Sequence, residues 1–128
     1  MKAKILVFAL PALILTTIHL AEAQQPKKVP RIGYVAQRNT PTPTTPDPAA
    51  EAFRQGLRDL RYIEGENILV DYRYGEGSNE RLRDLVTELV QLKVDVLVSP
   101  AVPAIRAAKQ ASKTIAIVMV EIIRRLRR

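Results

Sequence analysis

Gln37, Arg38 and Asn39, with Ser99 and the pair Val102 and Pro103, are the residues of this sequence whose types and placement could do chemistry, and that chemistry is binding. Arg38 carries a planar fork of donors that suits an anionic solute, with Gln37 and Asn39 on either side. The turn from Ser99 through Val102 would offer free backbone N–H groups to a carboxylate, although Pro103 itself donates none. Bond-making chemistry has little to work with. The sequence has no cysteine and one histidine, His19, inside a segment that reads as a removable leader. Without them there is no Ser-His or Cys-His nucleophile pair and no imidazole or thiolate metal cluster. No cofactor or metal is implied, and no paired acidic motif suggests a hydrolase working through carboxylates alone.

Those residues must be positioned by the segments between them, which alternate in type. Residues 31–36 (RIGYVA) form a short apolar run after Pro30 that reads as a buried strand. A polar loop with prolines at 41, 43 and 46 follows, and Asp47-Pro48 then supplies a helix cap and a proline in the first turn. Phe53, Gly56, Leu57 and Leu60 recur at helical spacing. After a turn at residues 64–67, Ile68, Val70, Tyr72 and Tyr74 alternate with Leu69, Asp71 and Arg73, the pattern of a strand with one wetter face at a sheet edge.

Residues 75–79 (GEGSN) cap a second helix carrying Leu82, Leu85, Val86 and Leu89. Residues 94–98 (VDVLV) read as a third strand, Pro103 opens a third helix with a thin alanine face at 104, 107, 108 and 111, and residues 115–120 (IAIVMV) read as a fourth strand. The order β-α-β-α-β-α-β with short connections specifies an α/β, doubly wound parallel sheet, for which a flavodoxin-like strand order is the simplest solution. In such sheets ligands sit outside the carboxyl ends of the strands. Residues 37–47, 75–79 and 99–103 occupy that edge.

The first 23 residues have the features of a secretory signal. Lys2 and Lys4 precede a 14-residue apolar run at residues 5–18, and Ala21-Glu22-Ala23 places small residues where a signal peptidase reads. A membrane span would need about 20 apolar residues. Cleavage near Ala23 would leave 105 of the 128 residues in the periplasm, with no stable membrane insertion. The remainder keeps 18 of the 20 Lys and Arg and 12 of the 13 Asp and Glu, and four of those arginines crowd into residues 121–128. So small and local an excess gives no reason to expect nucleic acid as a partner.

The runs KVPRIGYVA, EAFRQGLRDLRYIEGENILVDYRYGEG and LVQLKVDVLVSPAVPAIRAAKQASKTIAIVMV resemble, in order and spacing, the start of an ABC transporter substrate-binding protein of the branch with a periplasmic binding protein type I-like fold. The resemblance runs from about Val29 to Val120. It implies two α/β lobes joined by a hinge, with a small metabolite, in many cases an amino acid, held between them and passed to an inner-membrane ABC permease. On that reading residues 24–120 are a partial N-terminal lobe, and residues 121–128 (EIIRRLRR) are an aberrant basic tail where the pattern stops. A frameshift, premature stop or fragment would then leave residues 115–120 as an open edge, and no solute affinity is expected of the lobe alone.

Two departures from the family pattern bear on the site. Arg61 stands where a glycine usually follows the first helix, costing roughly 1 kcal/mol if the position is left-handed. Pro100-Ala101-Val102-Pro103-Ala104 replaces a Gly-Gly-Thr-Pro-Ala turn, which weakens any ligand role for Val102.

Other readings are poorer. Residues 75–79 lack the Gly-Lys-Ser/Thr of a phosphate loop and carry Glu76 with Glu80 close by. Tyr34, Tyr62, Tyr72 and Tyr74 have the spacing of packing residues, not of a base-stacking platform. Residues 40–46 read as the rim of a cleft. A stand-alone flavodoxin-like regulatory or interaction domain, such as a receiver, would need an acidic cluster after the first strand, where this chain has Gln37-Arg38-Asn39.

Overall fold

A computed structural model describes residues 28–120, so the leader and the basic tail lie outside the described residues. Four parallel strands, β1 (Arg31–Ala36), β2 (Leu69–Tyr74), β3 (Val96–Ser99) and β4 (Ala116–Met119), stand in the order β2-β1-β3-β4. Three helices connect them: α1 (Pro48–Asp59), α2 (Asn79–Gln91) and α3 (Val102–Ala111). This is the flavodoxin-like order that the sequence specifies, with β2 at one edge.

Alternation along β1 divides the core between the two faces of the sheet. Ile32, Tyr34 and Ala36 pack with Ala50 and Leu57 of α1. Val35 faces the opposite way and packs with Leu82, Val86 and Leu89 of α2 and Ala104, Ala107 and Ala108 of α3. Gly33 shares that second face, and a Cβ there would lie 2.9 Å from the Leu89 side chain, so the missing side chain is what lets α2 approach. Helix α1 lies on one face, and α2 and α3 on the other.

Each helix begins as its sequence requires. The Asp47 carboxylate accepts from the Ala49 N–H at 3.1 Å, with Pro48 in the first turn. The Ser78 hydroxyl accepts from the Arg81 N–H at 3.1 Å. Helix α3 has no side-chain cap and begins at Val102, one residue before Pro103.

Helices α1 and α2 end alike. The Tyr62 N–H reaches the Leu57 carbonyl and the Arg61 N–H reaches that of Arg58, both at 2.9 Å; Val94 and Lys93 repeat the pattern onto Leu89 and Val90. These are Schellman closures, which put Arg61 at φ 64° and Lys93 at φ 58°. Arg61 is therefore left-handed, the condition under which the sequence expects a cost of roughly 1 kcal/mol for a non-glycine residue.

Some boundaries move for local reasons. Val94 is occupied in the α2 closure, so β3 starts at Val96, and Ser99 joins the ladder opposite Met119. The Ile115 N–H turns back to the Ser112 hydroxyl, so β4 starts at Ala116. Leu60 is the C-cap of α1 and 71% exposed, outside the buried stripe of Ala50, Phe53 and Leu57. Ala111 is likewise exposed at the end of the α3 alanine face. At the open side of β3, β4 keeps Val118 and Met119 about half exposed.

Candidate functional site

The carboxyl edge of the sheet is built from three interlocked turns. Where β1 ends, the Ala36 carbonyl accepts from the Gly75 N–H at 2.8 Å, the Gln37 carbonyl from Gly77 at 2.6 Å and the Arg38 carbonyl from Glu76 at 3.1 Å. Glu76 and Gly77 both have positive φ, 53° and 80°, and that tight turn aims their N–H groups at the β1 exit. The Gln37 side chain closes the seam by donating to Asn79 Oδ1 at 2.5 Å. Residues 42 and 45 pair through their backbones and fold the proline-rich loop back on itself.

Beneath this rim lies a buried polar knot that the sequence does not advertise. Asp47 is 3% exposed, and its carboxylate accepts from the Tyr34 hydroxyl at 2.9 Å and from the Ala49 N–H. Tyr34 stacks against Phe53 at 5.9 Å and meets Tyr72 and Tyr74 at 5.5 and 6.2 Å. Arg54 lies over the Tyr72 ring, 4.4 Å from its centre, and donates to its hydroxyl, which in turn donates to Glu64.

Burial, then the bond to Asp47, raises the Tyr34 hydroxyl above its ordinary pKa. Burial likewise pushes Tyr74 up to about 12, with the Asp47 charge adding to it. The Tyr74 hydroxyl feels that charge but stays outside hydrogen-bonding geometry; it is buried with no partner among the described residues. A charge acts at longer range than a hydrogen bond, so Asp47 can raise the Tyr74 pKa without accepting from it.

Arg38 sits on top of the knot. One guanidinium nitrogen lies 3.5 Å from Asp47 Oδ1, and the arginine side chain is 38% exposed. That contact is long, and Asp47 is already satisfied from below, so most of the Arg38 donors remain available. With Asn39, Thr40, Thr45 and Gly77, Arg38 lines a cavity of about 480 Å³.

The structure therefore brings Arg38 and Asn39 to one cavity, with Gln37 bracing it. It places the remaining sequence candidates elsewhere. Ser99 is fully buried, its hydroxyl donating to the Val35 carbonyl at 2.5 Å and accepting from the Ala101 N–H at 3.0 Å. Its side chain supports the β3 exit from inside. Val102 is 49% exposed in the first turn of α3, and Pro103 lines a different hollow, with Arg83 and Arg106. Thr40, Thr45 and Gly77 join the cavity only through the fold of the loops. The positions of Thr40 and Thr45 in a polar loop at the correct edge were the one available signal.

Among the described residues no cluster of His, Cys, Asp and Glu could hold a metal ion, and no helix is long and apolar enough to cross a membrane. A family model described as ABC transporter substrate binding protein matches residues 45–126. The chain is 29% identical over 73 residues to a tyrosine-binding protein of Clostridioides difficile, covering 57% of this chain and 21% of that one.

Among solved structures it is similar to a conserved domain protein from Vibrio cholerae, at 30% identity and TM-score 0.60, over 72% of this chain and 30% of that one. A ligand-free, open substrate-binding protein with adhesive properties from Clostridium difficile gives 24% identity and TM-score 0.59, over 71% and 30%. An ABC domain in complex with L-Trp from Streptococcus pneumonia gives 21% and 0.54, over 69% and 28%. The last two likenesses bear on the fold alone. The chain thus spans about a fifth of that curated relative and under a third of these structures.

Proposed function

The chain belongs to the ABC transporter substrate-binding protein family, and from that premise we propose that it forms one wall of a solute cleft at the carboxyl edge of its sheet. The solute is a small metabolite bearing a carboxylate, an amino acid first of all, bound without chemical conversion and passed to the membrane permease of an importer. The observation that carries this reading is Arg38, which lines the 480 Å³ cavity with one long contact to a carboxylate that does not depend on it. A carboxylate entering the cavity would meet a bidentate fork, and the seam through Gln37, Glu76 and Gly77 holds the backbone beneath it in place. The tyrosine-binding relative supports an amino acid as the solute.

Closure of a second lobe over this wall would complete the site by a hinge motion. Gln37, Arg38 and Asn39 are the contact rim in this proposal; Ser99 shapes the neighbouring turn, and Val102 and Pro103 lie outside the cavity, in the first turn of α3. Export follows from residues 1–23, and mass analysis of the secreted product, with a mature start near Gln24, tests it.

The solute reading is tested by following backbone amide resonances of the chain while adding L-tyrosine, L-tryptophan or their decarboxylated amines. Because half a cleft should not hold a solute with measurable affinity, the amino acids should shift residues 38–45 and 77 without reaching saturation, the amines should not shift them, and Arg38→Gln should abolish the response. Equal shifts from acid and amine would overturn the assignment of Arg38.

A further inference from the structure

We propose that Arg83 and Arg106 form a docking site for an acidic segment of a partner protein in the groove between α2 and α3. The groove consists of two hollows of about 280 and 240 Å³ that share Arg83, Ala107 and Gln110 and so run together. Asn79, Arg83 and Thr87 are spaced four apart along one face of α2 and form one wall. The other wall comes from α3, where the small side chains of Ala107 and Ala111 keep the groove open to a peptide backbone.

The charge of the groove is of one sign. No carboxylate lines either hollow, and α3 (VPAIRAAKQA) contains no acidic residue. Arg31, Arg38, Arg54, Arg73 and Arg81 each meet a carboxylate, whereas Arg83 and Arg106 form no ion pair among the described residues. Glu80 and Asp84, their acidic neighbours on α2, pair with neither.

Two arginines facing one elongated, acid-free groove are complementary to an extended segment carrying more than one carboxylate. A single small anion would fill only part of the joined space. Ala107, Gln110 and Ala111 of the AAKQA run at residues 107–111, which the solute reading leaves unused, find their role here. The inference stands apart from the solute reading, although Asn79 places one end of the groove beside the Gln37 seam.

The test titrates the isotope-labelled chain with a short oligoglutamate peptide and, separately, with inorganic phosphate. The peptide should shift the amides of Thr87, Arg106 and Gln110, and added salt should weaken it. The double variant Arg83→Gln and Arg106→Gln should bind roughly tenfold more weakly, and the single variants serve if the double variant does not fold. Arg81→Gln, whose arginine pairs with Glu76 instead, should bind as before. Absence of a peptide response, an equal loss in Arg81→Gln, or phosphate binding as tightly as the peptide would each overturn the proposal. Amino-acid shifts at residues 38–45 report on the solute cleft separately, so either reading can fail while the other stands.

Discussion

The exits of β1 and β3 lie side by side at the same edge of the sheet, yet one is open and charged while the other is sealed. Past Ala36 the chain leaves the ladder at once, so Arg38 and Asn39 line a cavity while Gln37 braces the loop beside it. Ser99 is still in the ladder, opposite Met119, and its hydroxyl is spent on the Val35 carbonyl and the Ala101 N–H. A polar residue one step beyond a strand is available to a ligand; the same kind of residue inside the strand is committed to the sheet.

The strongest way to break that contrast is Ser99→Ala. It leaves a buried carbonyl and N–H short of a partner and should cost about 1–3 kcal/mol in urea unfolding, without touching the Arg38 cavity. Beneath the open exit, Tyr34→Phe removes a donor from buried Asp47 and should cost roughly 1 kcal/mol, whereas Tyr74→Phe should be neutral or stabilising because its hydroxyl has no partner.

Alkaline pH sharpens the same point. Tyr34, Tyr72 and Tyr74 all have raised pKa values in the folded chain, chiefly through burial. The unfolded chain therefore releases its tyrosine protons first. The stability they contribute should be complete below pH 10 and decline as pH rises through about 12, where Tyr74 titrates when folded, as followed by circular dichroism.

At the opposite edge of the sheet, Arg61→Gly should relieve a left-handed arginine and raise stability by about 0.5–1 kcal/mol with neither exit altered. The smallest effect belongs to Arg38→Gln. Its exposed, long ion pair predicts a stability change within about 0.5 kcal/mol, so any loss of solute response in that variant reads on binding.

Much of the fold was legible because its signals are local. Asp47-Pro48 and Gly77-Ser78-Asn79 start helices by hydrogen-bonding chemistry available within a few residues, and the run 31–36 became β1 at its expected limits. The late starts of β3 and β4 share one cause, which is competition for backbone groups. Apolar pattern alone makes Val94 and Ile115 strand residues, but their N–H groups are taken by a helix closure and a serine turn. Leu60 had the right period and the wrong place, one residue after the helix stopped.

The site was legible in part. Arg38 and Asn39 could be placed from the end of β1, whereas Thr40, Thr45 and Gly77 reach the same cavity through a loop that folds back and a turn from the neighbouring strand. The burial of Ser99 depended on whether β3 ran one residue further.

By itself the sequence determined the alternating elements, the parallel sheet and the absence of cysteine, because periodicity, capping and composition act on neighbouring residues. Only the tertiary structure decided which polar groups face outward, because that depends on register between strands and on bonds spanning dozens of residues. It joined Tyr34 to Asp47 beneath Arg38, turned Ser99 inward, and set Arg83 beside Arg106 across the groove between α2 and α3.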